Sequence, residues 1–72
     1  MNEATKQTLV DYFNKLVTIT NALREIDKQE KITDSDEYYY LDVAFGAIYC
    51  ATEDLGQALY KDLGLEVDWS NF

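Results

Sequence analysis

Few side chains in this 72-residue chain could perform catalysis. The chain has no histidine, the residue that most often carries out acid–base catalysis at neutral pH. Its single cysteine, Cys50, stands close to Ala47 and Ile48, which is typical of a small packing residue rather than of an activated thiol. Adjacent carboxylates such as Glu53 and Asp54 would point about 100° apart on a helix and would not converge. We therefore predict that the protein is not an enzyme and has no catalytic residues.

The sequence predicts no metal or cofactor site either. The segment Asp34–Glu37 begins like a calcium-binding loop, but Tyr39 stands where that loop needs glycine and Phe45 where it needs its closing acid. A zinc site of the Cys/His type is excluded because the chain has one cysteine and no histidine. Its three glycines are scattered and do not form a phosphate-binding loop.

The chemistry that remains is that of carboxylates beside phenol rings. Residues 1–31 carry five acids and five bases, whereas residues 32–72 carry nine acids and one base, Lys61, so the net charge of −8 lies in the second part. On a helix, six of its side chains would share an arc of about 80°. We call this set the acidic tyrosine stripe: Tyr39, Asp42, Tyr49, Glu53, Gln57 and Tyr60.

Such a stripe suits a basic partner. Tyrosine supplies rigid contact area at low entropic cost, and carboxylates pair with arginine and lysine. We predict partner binding through Tyr39, Asp42, Tyr49, Glu53, Tyr60 and Asp62. Asp62 is included because it stands in the last turn of the predicted helix, where the dipole disfavours an acid. The alternative, in which the stripe is only the solvated side of an acidic protein, stays open.

The predicted function is that of a non-catalytic binding protein that docks on a basic surface of a partner protein. Charge in place of phosphates and rings in place of bases would allow it to act as an inhibitor that mimics nucleic acid. We expect no direct binding to nucleic acid or to a membrane, because phosphates would be repelled. Two alternatives are a small helical oligomerisation module and an immunity or antitoxin-like protein.

Two helices must carry these residues. Apolar residues recur at alternating steps of three and four, which predicts a first helix over about residues 3–28. The seam that they form, which we expect to pack against the second helix, consists of Leu9, Tyr12, Leu16, Ile19, Leu23 and Ile26. Helix-start signals at Thr33 and Asp34 and a terminating Gly64 predict a second helix over about residues 36–63. A β-hairpin within Tyr38–Cys50 is the alternative, because that segment is rich in strand-forming residues.

The resulting fold class is all-α: a single small domain over residues 1–72, with a helical hairpin and a tail over residues 64–72. We expect the tail to fold back, with Trp69 serving either as a core plug or as an interface anchor.

The helices offer more apolar surface than one hairpin can hide, at positions such as Val10, Val17 and Val43. Small residues that would let another helix come close lie along the second helix at Ala44, Ala47, Ala51 and Ala58. We therefore predict a homodimer that forms a four-helix bundle; a monomer whose tail covers the surplus stays open. One free thiol, no signal pattern and no membrane-length apolar stretch predict a cytoplasmic location.

Overall fold

The computed structural model describes all 72 residues, and its secondary structure is entirely helical. Helix α1 spans Glu3–Glu30 and helix α2 spans Tyr39–Lys61, with a short 3-10 helix over Asp36–Tyr38 between them. The all-α class is confirmed. The alternative of a β-hairpin within Tyr38–Cys50 is wrong, because most of that segment lies inside α2, which runs through Gly46 without a break. Neither helix contains a stretch apolar enough to cross a bilayer.

The start of the second helix differs from the prediction. Ser35, rather than Thr33 or Asp34, is the capping residue: its hydroxyl accepts a hydrogen bond from the N–H of Glu37 at 3.1 Å. Thr33 instead donates both its N–H and its hydroxyl to the two carboxylate oxygens of Asp27, at 2.8 and 2.9 Å. Since Thr33 is held by α1, the chain can begin a helical turn only after it, and that turn is a 3-10 turn.

Helix α2 ends at Lys61, two residues before the predicted end at residue 63, but the residue that terminates it in a left-handed conformation is Gly64, as predicted. Gly64 adopts a left-handed conformation with φ of 66°, which a residue without a Cβ reaches at no steric cost. Its N–H donates to the Tyr60 carbonyl at 3.1 Å, and the next N–H, that of Leu65, donates to the Leu59 carbonyl at 3.0 Å. This turn reverses the chain and sends the tail back along the hairpin.

The core between the helices is small. Only 7 of the 72 residues are buried, and the buried apolar cluster consists of Phe13, Val17 and Leu59. The α1 seam predicted to face α2 is only partly used: Tyr12, Ile19 and Ile26 remain 43–53% exposed. That part of the prediction was wrong. The helix is rotated so that residues beside the seam, including Val17 and the half-buried Val10, provide the contact instead.

The C-terminal tail explains this rotation. The Trp69 ring packs edge-to-face on Phe13, with ring centroids 5.4 Å apart, and lies directly over Gly56 of α2. Further along, the Phe72 ring stacks on Tyr49 at 5.0 Å, and Arg24 donates to the Phe72 carbonyl oxygen. The tail therefore completes the core on one side of the hairpin only.

The molecule exposes more surface than its mass requires. It measures 44 × 18 × 16 Å, with a radius of gyration of 14.2 Å, whereas a compact chain of this length would have about 11 Å. Its accessible surface is 5294 Å², compared with about 4,600 Å² expected for a folded monomer of this mass. A two-helix hairpin with a tail on one side leaves the other side open to water.

Two glycines of α2 provide a matched test of the tail position. An added Cβ at Gly56 would overlap the Trp69 ring and lie 2.7 Å from Phe13 Cε1, whereas at Gly46 it would meet nothing within 4 Å. We expect Gly56→Ala to lower the free energy of unfolding by about 1–3 kcal/mol through overpacking. Gly46→Ala should raise it by about 0.5–1 kcal/mol, because alanine favours the helix. Urea unfolding measures both changes, and equal effects would contradict the placement of Trp69.

A buried pair of hydroxyls provides a second test. The Thr52 hydroxyl donates to the Ile48 carbonyl at 2.7 Å, so Thr20 must be the donor in the 3.2 Å hydrogen bond between the two threonines. Thr52→Val would leave the Thr20 hydroxyl buried without its acceptor, which should lower the free energy of unfolding by about 1–3 kcal/mol. In Thr20→Val, the Thr52 hydroxyl still donates to the Ile48 carbonyl, so the free energy of unfolding should change by less than about 1 kcal/mol. Chemical denaturation of the two variants would contradict this account if Thr20→Val were the more damaging.

Candidate functional site

Five of the six residues predicted to bind a partner lie on one side of α2. Tyr39 and Tyr60 are 66% and 61% exposed, and Glu53 is exposed between them. Asp42 and Tyr49 lie on the same side, closer to α1. The tail runs along this side too, so the acidic tyrosine stripe is bordered by residues that are distant in sequence.

Asp62 does not belong to this surface. It follows Tyr60 by two residues with helical backbone geometry, so its side chain points about 160° away around the helix. The prediction that grouped Asp62 with the stripe rested on its unfavourable position at the helix end, which carries no information about direction. Asp54 is also turned away, by about 100° from Glu53. The acids of α2 are thus spread over more than one side, and Asp42 and Glu53 are the carboxylates of the stripe.

A groove opens beside Asp42 between the two helices. Its cavity has a volume of about 190 Å³ and is lined partly by the rings of Phe45 and Tyr49 and by the carboxylates of Asp27 and Asp42. Asp27 is already engaged by Thr33, as described above. Asp42 takes part in neither of the ion pairs in the structure, so its carboxylate is the one that remains available to a cation.

Tyr49 already binds a guanidinium within the molecule. The Arg24 guanidinium lies 5.2 Å from the centre of the Tyr49 ring and 5.3 Å from that of Phe72, distances typical of a cation–π contact. Tyr49 is therefore less free than predicted, because one face of its ring is covered by Phe72. This part of the groove nevertheless has a geometry that accepts a planar cation against an aromatic ring.

The C-terminal tail contributes residues to the site that were not predicted from the sequence. Next to Tyr60, a second open cavity of about 400 Å³ is lined by Gln57, Glu66, Val67 and Trp69. A signal for this was present, since Leu65, Val67 and Trp69 alternate with Glu66 and Asp68. If the apolar residues of a folded-back tail pack inward, the acids between them must point to solvent beside the stripe.

The negative charge of the second part of the chain is not neutralised within the molecule. Both ion pairs are inside α1, between Lys6 and Glu3 and between Lys28 and Glu25. None of the nine acids of residues 32–72 pairs with a base, and the nearby Arg24 is bound to rings and carbonyl oxygens instead. The pKa of Asp68 is lowered, because the hydroxyl and the N–H of Ser70 both donate to its carboxylate.

The opposite side of the hairpin has a different character. Alternating steps of three and four place Tyr12, Leu16, Ile19, Leu23 and Ile26 along α1 and Leu41, Ala44, Ile48, Ala51 and Leu55 along α2. All ten are exposed or half-buried, and none is charged; Leu23 also lines the cavity beside Asp42, and Leu55 also packs against the core. We call these ten residues the apolar face. Neither family models, curated proteins nor solved structures match this chain, so its two contrasting sides are the basis on which a function can be assigned.

Proposed function

We propose that the protein is a non-catalytic acidic binding protein, which docks through its acidic tyrosine stripe on a basic surface of a partner protein. The observation that carries this proposal is the absence of any ion pair at the nine acids of residues 32–72, next to tyrosines that remain exposed. Unpaired carboxylates attract a basic partner over a distance of about 8–10 Å at ordinary salt and speed its association.

The groove beside Asp42 supplies the short-range part of the proposed recognition. A lysine or arginine side chain of the partner would place its charged end at Asp42 and its aliphatic stem against Phe45 and Tyr49. The protein's own Arg24, which also lines this cavity, already holds its guanidinium against Tyr49, so the partner's cation would bind at Asp42 beside Arg24. Glu53 and Tyr60 would extend the contact along α2.

The partner class that fits this chemistry is a protein that binds nucleic acid, and the proposed role is that of an inhibitor which occupies its groove. Carboxylates would replace phosphates, and tyrosine rings would replace stacked bases.

Direct binding to nucleic acid or to an anionic membrane is not part of the proposal, because the charge of −8 would repel both. An immunity or antitoxin-like role would use the same surface against a basic toxin. A cytoplasmic location completes the proposal, supported by the free thiol of Cys50, which is exposed and not packed as the sequence predicted.

A second function, that of a helical oligomerisation module, is supported by the apolar face. We propose that two hairpins pair into a homodimer that forms a four-helix bundle, because the ten uncharged residues of the apolar face are exposed or only half-buried within one chain. The two functions are compatible, since they use opposite sides of the hairpin. A dimer would present two acidic tyrosine stripes facing outward.

Charge neutralisation tests the docking surface. In Asp42→Asn/Glu53→Gln, two carboxylates of the stripe become amides; in the matched control Asp54→Asn/Asp62→Asn, the same charge is lost on other sides of the same helix. With an arginine-rich peptide as the probe, we expect the stripe variant to bind at least fivefold more weakly than the control, a difference of about 1 kcal/mol. Fluorescence anisotropy at about 50 mM salt measures both affinities.

Salt separates a specific surface from general attraction. Raising salt to about 300 mM should weaken peptide binding mainly through a slower association rate. Equal losses in the two charge variants would mean that only net charge matters, and the stripe would then have no special role. Thermal unfolding of both variants checks that the fold is retained.

A further inference from the structure

We propose that the apolar face is the surface through which two copies of this chain pair. This inference rests on the proposed homodimer and assigns it to one side of the hairpin. Of the positions from which self-association was first argued, Ala44 and Ala51 lie on this face. The valines do not: Val17 is buried, Val10 is half-buried against the core, and Val43 lies on the outer side of α2. The structure thus moves the unpaired apolar surface to the α1 seam and its neighbours on α2.

The two halves of the apolar face lie on the same side of the hairpin. The tail contacts Asn21 and Arg24 of α1 and Tyr49 and Gly56 of α2. In two antiparallel right-handed helices, positions displaced from the contact line in the same rotational sense lie on the same side of the pair. Residues of the apolar face are displaced from the Phe13–Leu59 contact line in the opposite sense to the tail contacts on both helices, except Leu41, which lies five full turns before Leu59 and therefore on the line itself. The face is therefore continuous and lies opposite the tail.

Its side chains are complementary to a copy of themselves. Large residues occupy the α1 half, where Tyr12, Ile19 and Ile26 are 43–53% exposed. The α2 half alternates large and small residues: Leu41, Ile48 and Leu55 are large, whereas the exposed Ala44 and Ala51 between them are small. A two-fold axis that lays α1 of one copy over α2 of the other would let Ile19 and Ile26 enter the spaces left by these alanines, which is how bundle layers interdigitate.

The length of this side suits a second hairpin. The long side of the molecule measures 44 by 18 Å, and an interface of standard size buries about 800 Å² of accessible surface on each partner, so a copy would have to cover this side over its whole length. The apolar residues occupy its middle, over about 21 Å from Tyr12 to Ile26, with polar residues at the margins. An apolar centre inside a polar margin is the usual composition of such interfaces.

Electrostatics also favours this side. A dimer would carry −16, twice the charge of one chain, so repulsion opposes any pairing that brings acids together. The ten residues of the apolar face are uncharged, and pairing through them leaves Asp42 and Glu53 on the other side; Asp62, seven residues after Leu55, is the acid that lies at the margin of the contact. We therefore expect salt to tighten the dimer by screening the remaining repulsion, the opposite of its effect on a basic partner.

Neighbouring positions of α2 allow a matched test. Ala44→Glu introduces an acid on the apolar face, whereas Val43→Glu introduces the same acid about 100° away on the outer side of the helix. Both positions are exposed, so neither change disturbs the core of the hairpin. By sedimentation equilibrium over about 1–200 μM protein, we expect Ala44→Glu to raise the dimer dissociation constant at least tenfold and Val43→Glu to change it less than threefold. Ile19→Glu, on α1, should act like Ala44→Glu.

The results separate the assignment of the dimer interface to the apolar face from the proposal that the chain forms a dimer at all. Dissociation by Val43→Glu with no effect of Ala44→Glu and Ile19→Glu would assign the dimer to the outer side of α2; the inference would be wrong and the proposed dimer would stand. A wild-type chain that stays monomeric over the whole concentration range, at low and high salt, would overturn both. Recovery of a 1:1 complex with a foreign protein from a monomeric chain would also overturn the inference. Circular dichroism confirms that each variant is helical.

Discussion

The contact of Trp69 with Gly56 and Phe13 is the constraint on which the rest of this structure depends. A glycine at position 56 lets the indole ring lie directly on the backbone of α2, and the ring in turn completes the environment of Phe13. Because the tail can close on only one side, α1 turns its Phe13 and Val17 flank toward the core. The α1 seam of larger side chains therefore lies at the edge of the contact between the two helices and stays partly exposed.

Because the tail covers one side of the hairpin, the molecule has two sides of opposite chemistry. On the tail side, the acids of α2 and of the tail stand beside tyrosines, and no base neutralises them. On the other side, uncharged residues at heptad-like spacing cover both helices. Salt should weaken long-range attraction to a basic partner and strengthen the pairing of apolar surfaces between two chains of like charge, so the two kinds of binding can be told apart by their salt dependence.

Much of this arrangement could be predicted from the sequence, and the physical reasons for the rest are specific. The helices follow from the periodicity of their apolar residues, and the end of α2 follows from the conformational freedom of Gly64. The rotation of α1 could not be predicted, because both the seam and the Phe13 flank are apolar and only the distant Trp69 decides between them. The pattern of apolar residues within α1 contains no information about the contact of Phe13 with Trp69, which is 56 residues away along the chain.

The candidate site, too, could be predicted from the sequence only in part. Helical spacing alone placed Tyr39, Asp42, Glu53 and Tyr60 on one side, and that grouping holds in the structure. It could not place Glu66 beside Tyr60, which depends on the path of the tail, nor reveal that Phe72 covers Tyr49. Asp62 was grouped with the stripe because of its unfavourable position at the end of the helix, which says nothing about the direction of its side chain.

Isotope-filtered NMR on a mixture of labelled and unlabelled chains tests most directly whether the side opposite the tail is the one that pairs. The account predicts intermolecular contacts from the methyl groups of Ile19, Leu23 and Ile48 and none from those of Leu65 and Val67 in the tail. Intermolecular contacts from the tail methyl groups, or from Val43 in place of Ile19, would contradict it.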